Sequence, residues 1–255
     1  MPSHKPAGSE RRRATIIQTL AKTELFRDVP VKTIAKLVES GQVKLYTLAA
    51  GTDLTLSDGG VDYLYVILTG HLEVRLNSEL IKKGPDFLLA FRGPEQIVGE
   101  MSAIARRPSV AFISACEPCE LVQIESAALE HTARKDWRIY RNIASLLVKK
   151  TLDERRRIEV SLMSGGKAKV AQALLNFLEE RGADEGKNGW QVVRGVVRQR
   201  DIADYIGCDR TTATRHLSTL KKDGIISYPN KGYYVPHRLT IRRLSSLTAA
   251  ARARK

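Results

Sequence analysis

Apolar positions change their period at Val43 and again at Ala127. Before Val43 they recur at helical spacing: Ala14 to Leu25 reads as one short helix and Val31 to Ser40 as another, with Ile34, Leu37 and Val38 inward and the turn Asp28-Val29-Pro30 between them. From Val43 the spacing is that of strands. Segments 43–48, 52–56, 63–68, 72–76, 80–81, 87–91, 97–98, 111–114 and 120–124 read as short strands. Within them Leu72, Val74 and Leu76 face inward while Glu73, Arg75 and Asn77 face outward. Glycines at 51, 59, 60, 70 and 99 supply turns between them. This pattern predicts a small antiparallel barrel or jelly roll.

At Ala127 the helical period returns, and Trp137, Tyr140, Ile143, Ala144, Leu147, Val148 and Leu152 mark one long helix running to Arg156. Its apolar face could pack on its own barrel, but its length and position favour a dimer seam that is coiled-coil-like rather than strictly heptad. Tyr140, Ile143, Leu147 and Leu152 are the expected contacts. Ser164-Gly165-Gly166 reads as a hinge, Lys169 to Arg181 as an amphipathic helix, and Gly182 to Gly189 as a polar excursion. Residues 190–193 and 196–197 form the expected minor hairpin.

The most informative stretch is QRDIADYIGCDRTTATRHLSTLKKDGIISYPNKGYY, residues 199–234. Ile202, Ala203, Tyr205 and Ile206 give a short helix an apolar side, Gly207 ends it, and a second helix from about Asp209 to Lys222 buries Ala213, Leu217 and Leu220. Two short helices across a tight turn predict a helix-turn-helix. The second presents Arg210, Thr211, Thr212, Thr214, Arg215 and His216, donors suited to phosphates and base edges. Strands at 225–228 and 233–235 around Asn230-Lys231-Gly232 add a wing.

The fold class is therefore α+β. It comprises a basic arm and short helix (1–24), a β-roll domain (25–126), a dimerisation helix and hinge (127–163), a winged helix-turn-helix (164–247) and a basic tail (248–255). Residues 1–13 are expected to be disordered. Forty-two Lys and Arg against 28 Asp and Glu leave a formal charge of +14, which calls for an anionic partner, and the helix-turn-helix points to DNA rather than a membrane surface. The tail from His237 carries six basic residues and no acid, so it either reaches a phosphate backbone or is simply solvated.

Three cysteines, Cys116, Cys119 and Cys208, make no disulfide framework and fit a reducing, cytoplasmic compartment. No apolar run is long enough to span a bilayer, and the start lacks the features of a signal peptide. No phosphate loop, metalloprotease pattern or nucleophile triad is present, so an enzyme is not expected. Cys116 and Cys119 have metal-like spacing without a second pair and read as core. Too few cysteines for an iron-sulfur cluster and no histidine constellation for haem leave no cofactor expected.

Val66-Ile67-Leu68-Thr69-Gly70 through Val74, Gly99-Glu100-Met101, and above all Asp201-Ile202-Ala203 to Ile206-Gly207-Cys208 with Arg210 and Arg215 resemble the bacterial cyclic-nucleotide receptor and fumarate-nitrate regulator (Crp/Fnr) family of transcription factors. The likeness covers about 25–244. It implies a homodimeric regulator of transcription with RNA polymerase as a partner, an activator or a repressor, whose barrel resembles a cyclic-nucleotide-binding domain and whose second helix reads a palindromic duplex. By the same resemblance Arg210, Thr211, Thr214 and Arg215 read bases, while Arg198, Gln199, Arg200, Thr212 and His216 contact phosphates. Arg215 could instead form a salt bridge and Thr214 could be mere surface. Thr211 stands where a glutamate is common in the family, so the half-site should depart from the usual one.

The resemblance is most informative where it fails. Family members that bind a cyclic nucleotide hold its phosphate with an arginine and then a serine or threonine, about nine residues past the glutamate. Here Ser109 and Val110 occupy those positions. A serine cannot neutralise a phosphate and a valine side chain donates nothing. Gly99, Glu100, Arg106, Arg107, Ser109 and Val110 therefore describe a degenerate effector pocket, with Glu100 expected to cap backbone amides. Regulation without cyclic nucleotide is favoured, with Arg106 or Arg107 leaving a nucleotide effector as the alternative. Cys208, beside the recognition helix, is a candidate redox switch if helix amides favour its thiolate, or else a small buried residue.

Overall fold

The structure, a computed structural model, describes residues 3–5, 10–76, 87–105, 111–181, 183–185, 190–193, 197–227 and 235–236. The chain forms two compact units, Met1–Val74 with Arg92–Thr151, and Arg75–Phe91 with Leu152–Lys255.

The elements up to α5 run in the order β1 (Ser3–Lys5), α1 (Glu10–Lys22), a 3-10 turn (Glu24–Phe26), α2 (Val31–Glu39), β2 (Val43–Leu48), β3 (Ser57–Asp58), β4 (Val61–Thr69) and β5 (Leu72–Leu76). They continue with β6 (Phe87–Arg92), β7 (Ile97–Val98), α3 (Glu100–Ala105), β8 (Ala111–Ala115), β9 (Cys119–Glu125), α4 (Ser126–Lys135) and α5 (Trp137–Leu162). The amino-terminal arm is not irregular throughout: β1 pairs antiparallel with β2, Ser3 opposite Thr47, and α1 begins already at Glu10.

Strands β2, β9 and β4 are the centre of the first unit, with Val43 opposite Ile124 and Val66 opposite Val122. The two-residue period of β4 sends Leu64 and Val66 to a core shared with α1, α2 and α4, and Tyr65 and Ile67 to a second core with Tyr46, Leu48 and Leu121. Burial on both faces explains why this strand is apolar without alternation. Of the expected barrel or jelly roll, the described residues show two sheets and no closure between them. A six-stranded sheet, ordered β1-β2-β9-β4-β3 with β7 on β4, accompanies a three-stranded sheet ordered β6-β5-β8. The chain changes sheet at Gly70, which has φ 83° and backs onto Pro118 and Cys119 with no room for a Cβ. Cys119 is core, and burial pushes its thiol up to about 11.

The long helix is two helices. Asp136, with extended φ −138°, ends α4 by donating its N–H to the Thr132 carbonyl, and its carboxylate accepts from the Arg138 backbone and guanidinium to open α5. Helix α5 then continues past Arg156 to Leu162. It has two apolar faces. Ile139, Ile143 and Leu146 enter the first core and Leu147 packs against it, while Trp137, Tyr140, Val148 and Leu152 are 45–66% exposed. The four expected seam residues are thus split: Tyr140 and Leu152 face outward, whereas Ile143 and Leu147 serve their own core.

In the second unit α6 (Gly166–Arg181) is followed by β10 (Ala183–Glu185) and β11 (Gln191–Val193), then α7 (Gln199–Ile206), α8 (Arg210–Lys222), β12 (Ile226–Ser227) and β13 (Val235–Pro236). The minor hairpin draws its first strand from the polar excursion, Ala183 pairing with Val193. Phe91, Phe177 and Tyr205 form an edge-to-face stack at 5.3 and 4.8 Å, and Asn176 donates to the Tyr205 hydroxyl at 2.9 Å. The Arg157 guanidinium lies 4.0 Å from the Phe87 ring, and burial pushes it down to about 10.

Candidate DNA-binding site

Each end of the two-helix motif has a local cause. Asp201, at the third position of α7, accepts the Arg198 backbone N–H at 2.8 Å and so satisfies a helix-start donor. Gly207 takes the left-handed conformation at φ 70°, and the Cys208 N–H returns to the Ala203 carbonyl at 3.0 Å, closing the helix end. Asp209 caps α8 by accepting the Thr212 N–H at 2.8 Å, and hydrogen bonds from Thr212 hold its carboxyl below the usual range. Ala213, Leu217 and Leu220 are fully buried, as their spacing predicts. Antiparallel β12 and β13 form the base of the wing, whose tip, with Asn230, Lys231 and Gly232, lies outside the described residues, as does the basic tail.

The opposite face of α8 is open. Arg210, Thr211 and Arg215 are exposed, and neither arginine forms an ion pair among the described residues. Arg198 and Arg200 are exposed at the start of α7, close to Asp201 and Asp204 respectively, and Thr212 is half-buried on the first turn of α8. Thr214 ties the two helices together through a 2.9 Å hydrogen bond with Gln199. His216 is turned against Gly166 at the start of α6, where burial, then Arg215 and Lys167, lower its pKa. Cys208 lacks the thiolate-favouring setting that its redox reading required, and is half-buried. Its thiol contacts the Asp209 carbonyl at 3.3 Å, and burial, followed by the Asp209 carboxylate, pushes its pKa up, so the thiolate is disfavoured.

One part of the site was not anticipated. Arg75, read as an outward strand residue, instead sends its guanidinium to α7, with Nη2 2.7 Å from Asp201 Oδ1 and Nη1 2.6 Å from Asp204 Oδ2. The aspartates are buried and Arg75 nearly so. The available signal was two acids, Asp201 and Asp204, on an otherwise buried helix, since buried carboxylates require cations.

Two family models match the chain. One, the Crp-like helix-turn-helix domain, spans residues 168–250, and the other, the cyclic nucleotide-binding domain, spans residues 48–136. The chain belongs to the Crp/Fnr family of bacterial transcription regulators. The Crp/Fnr relatives include regulatory protein HlyX of Actinobacillus pleuropneumoniae, 28% identical over 185 residues that cover 72% of each chain. Nitrogen fixation regulation protein FixK of Azorhizobium caulinodans is 25% identical over 203 residues, 78% of this chain and 77% of that one. Among solved Crp/Fnr structures, FixK2 from Bradyrhizobium japonicum has the same fold, with TM-score 0.65 at 20% identity over 82% of this chain and 98% of that chain. Crp/Fnr proteins are DNA-binding regulators, not enzymes.

The segment corresponding to the Crp/Fnr effector pocket is partly described. Gly99 has φ 88°, and a Cβ there would strike the Tyr63 carbonyl. Glu100 is buried, but it does not cap backbone amides. Its Oε1 pairs with Lys150 Nζ at 2.6 Å, and Oε2 has no hydrogen-bond partner among the described residues. Lys150 also donates to the Ile97 carbonyl at 2.9 Å. Arg106, Arg107, Ser109 and Val110 lie outside the described residues. No helix among the described residues is long and apolar enough to cross a membrane.

Proposed function

We propose that this chain is a homodimeric, sequence-specific DNA-binding regulator that reads a two-fold symmetric site without a bound cyclic nucleotide. The observation that carries the reading is the open face of α8, where Arg210, Thr211 and Arg215 stand exposed on a capped helix whose opposite face is buried. Arginine forks on such a face suit guanine edges in the major groove, and Thr211 accommodates a thymine methyl. Arg198, Gln199, Arg200 and Thr212 flank that face and supply phosphate contacts. The exposed apolar series Trp137, Tyr140, Val148 and Leu152 on α5 supports pairing with a second copy, which sets two half-sites about 34 Å apart or a multiple of it. A dimer so bound acts on transcription through RNA polymerase.

Independence from cyclic nucleotide is supported by Glu100, whose charge is already matched by Lys150, and by Ser109 and Val110 at the phosphate-holding positions. The match to the cyclic nucleotide-binding model favours the second reading, a nucleotide-dependent regulator. Selection of bound sequences from a randomised duplex pool by the nucleotide-free protein decides between them. One palindrome is expected without any addition; enrichment only when a cyclic nucleotide is supplied would establish the second reading. Sedimentation at micromolar concentration should give a dimer, and a monomer would contradict the seam on α5.

A further inference from the structure

Five charged side chains meet on α7. Asp201 offers Oδ1 to Arg75 at 2.7 Å and Oδ2 to the Arg198 side chain at 3.2 Å, while a single oxygen of Asp204, Oδ2, is shared by Arg75 at 2.6 Å and Arg200 at 3.5 Å. The two carboxylates are buried, whereas the Arg198 and Arg200 side chains are 56% and 61% exposed. Among the described residues Arg75 is the buried cation beside both carboxylates, while Arg198 and Arg200 reach them from the exposed side. Buried carboxylates do not stay unpaired, because the cost of desolvating an ion is large. Deprived of Arg75, Asp201 and Asp204 would therefore hold more tightly the cations already beside them among the described residues, Arg198 and Arg200. Those are the side chains that the proposed function gives to DNA phosphates.

We propose that Arg75 is a positioning residue for DNA binding: it neutralises Asp201 and Asp204 from the inner side of α7 and thereby leaves Arg198 and Arg200 to DNA phosphates. Arg75 and DNA act on the same two carboxylate–arginine pairs from opposite sides, so each favours the other. The packing of β6 is consistent with this, since Phe87 lies against Gly207 at the end of α7 and the Phe91 N–H donates to Glu180 of α6 at 3.3 Å. Asp204 agrees, since burial raises its pKa while Arg75 and then Arg200 oppose the rise.

The inference rests on the reading of α7 as a phosphate-contacting helix, and the test separates the two. Affinity of the full chain for the duplex selected by the wild type is measured by fluorescence anisotropy between about 50 and 200 mM salt, where each lost phosphate contact lowers the slope of log affinity against log salt by about 0.9. R75M is expected to bind roughly tenfold or more weakly with a slope shallower by at least about 1. R75M/D204N, which removes the carboxylate competing for Arg200, should regain most of both. A purely structural role for Arg75 would lower stability to urea, which D204N would also partly restore, but would leave the salt slope of the folded protein unchanged. Should R75M fail to fold, R75K, whose single ammonium cannot bridge both carboxylates, takes its place and is expected to fall between the two. Wild-type affinity and slope in the Arg75 variant, or no gain from D204N, overturns the proposal. If R200A also leaves the slope unchanged, the phosphate reading of α7 fails instead.

Discussion

Lys150 Nζ stands 2.6 Å from Glu100 Oε1, joining α5 to the first turn of α3 through a pair whose side chains are only 16% and 4% exposed. Removing the cation strands a carboxylate whose second oxygen already has no hydrogen-bond partner among the described residues. K150M should therefore lower unfolding free energy by about 3–5 kcal/mol. The double variant E100Q/K150M should lose much less, because no charge is left unpaired. Urea unfolding at neutral pH measures both, and equal losses would contradict a charge-pair role.

The cap on α8 depends on ionised Asp209. Its folded pKa is depressed by Thr212, so the stabilisation is complete above the ordinary aspartate value of about 3.9 and is lost as pH falls through the lower folded value. D209A should speed amide hydrogen exchange at Thr212 and weaken DNA binding. D209N should keep the cap and lose the acid dependence. Identical exchange in wild type and D209A would remove the cap from the account.

Gly166 has no room for a side chain while His216 lies against it. G166A should displace the ring at a cost of about 1 kcal/mol, and NMR titration should show the His216 pKa rising toward the ordinary imidazole value as it regains solvent. In the wild type the packed ring favours its neutral form, so its contribution is full above about pH 6.5 and declines as pH falls through the lowered folded pKa. An unmoved titration in G166A would exclude this contact.

Cys208 is expected to be a slow thiol. Burial and the Asp209 carboxylate push its pKa above that of a free cysteine, so its alkylation by iodoacetamide at neutral pH should be slower than that of a cysteine-containing peptide, and should rise with pH into the alkaline range. C208S should bind DNA as the wild type does. Rapid, pH-insensitive alkylation near neutrality would instead mark the thiolate first expected at this position.

The sequence alone determined the features whose causes are local. The buried stripe Ala213, Leu217 and Leu220, the glycine stop at Gly207 and the exposed Arg210 and Arg215 follow from helical period and capping chemistry, and they sufficed to identify a helix-turn-helix. The apolar run in β4 likewise marked a strand, although only the structure showed it buried on both faces. Tertiary structure decided what depends on partners distant in the chain. The period of α5 marked both of its apolar faces without distinguishing them, so Ile143 and Leu147 went to their own core while Tyr140 and Leu152 faced outward. Gly70 stands where the chain passes from one sheet to the other, backed by Pro118 and Cys119. Arg75 lies 126 residues from Asp201, Glu100 50 from Lys150, and Gly166 50 from His216. Charge pairing and close packing act through space, and neither periodicity nor composition records which distant residue will arrive.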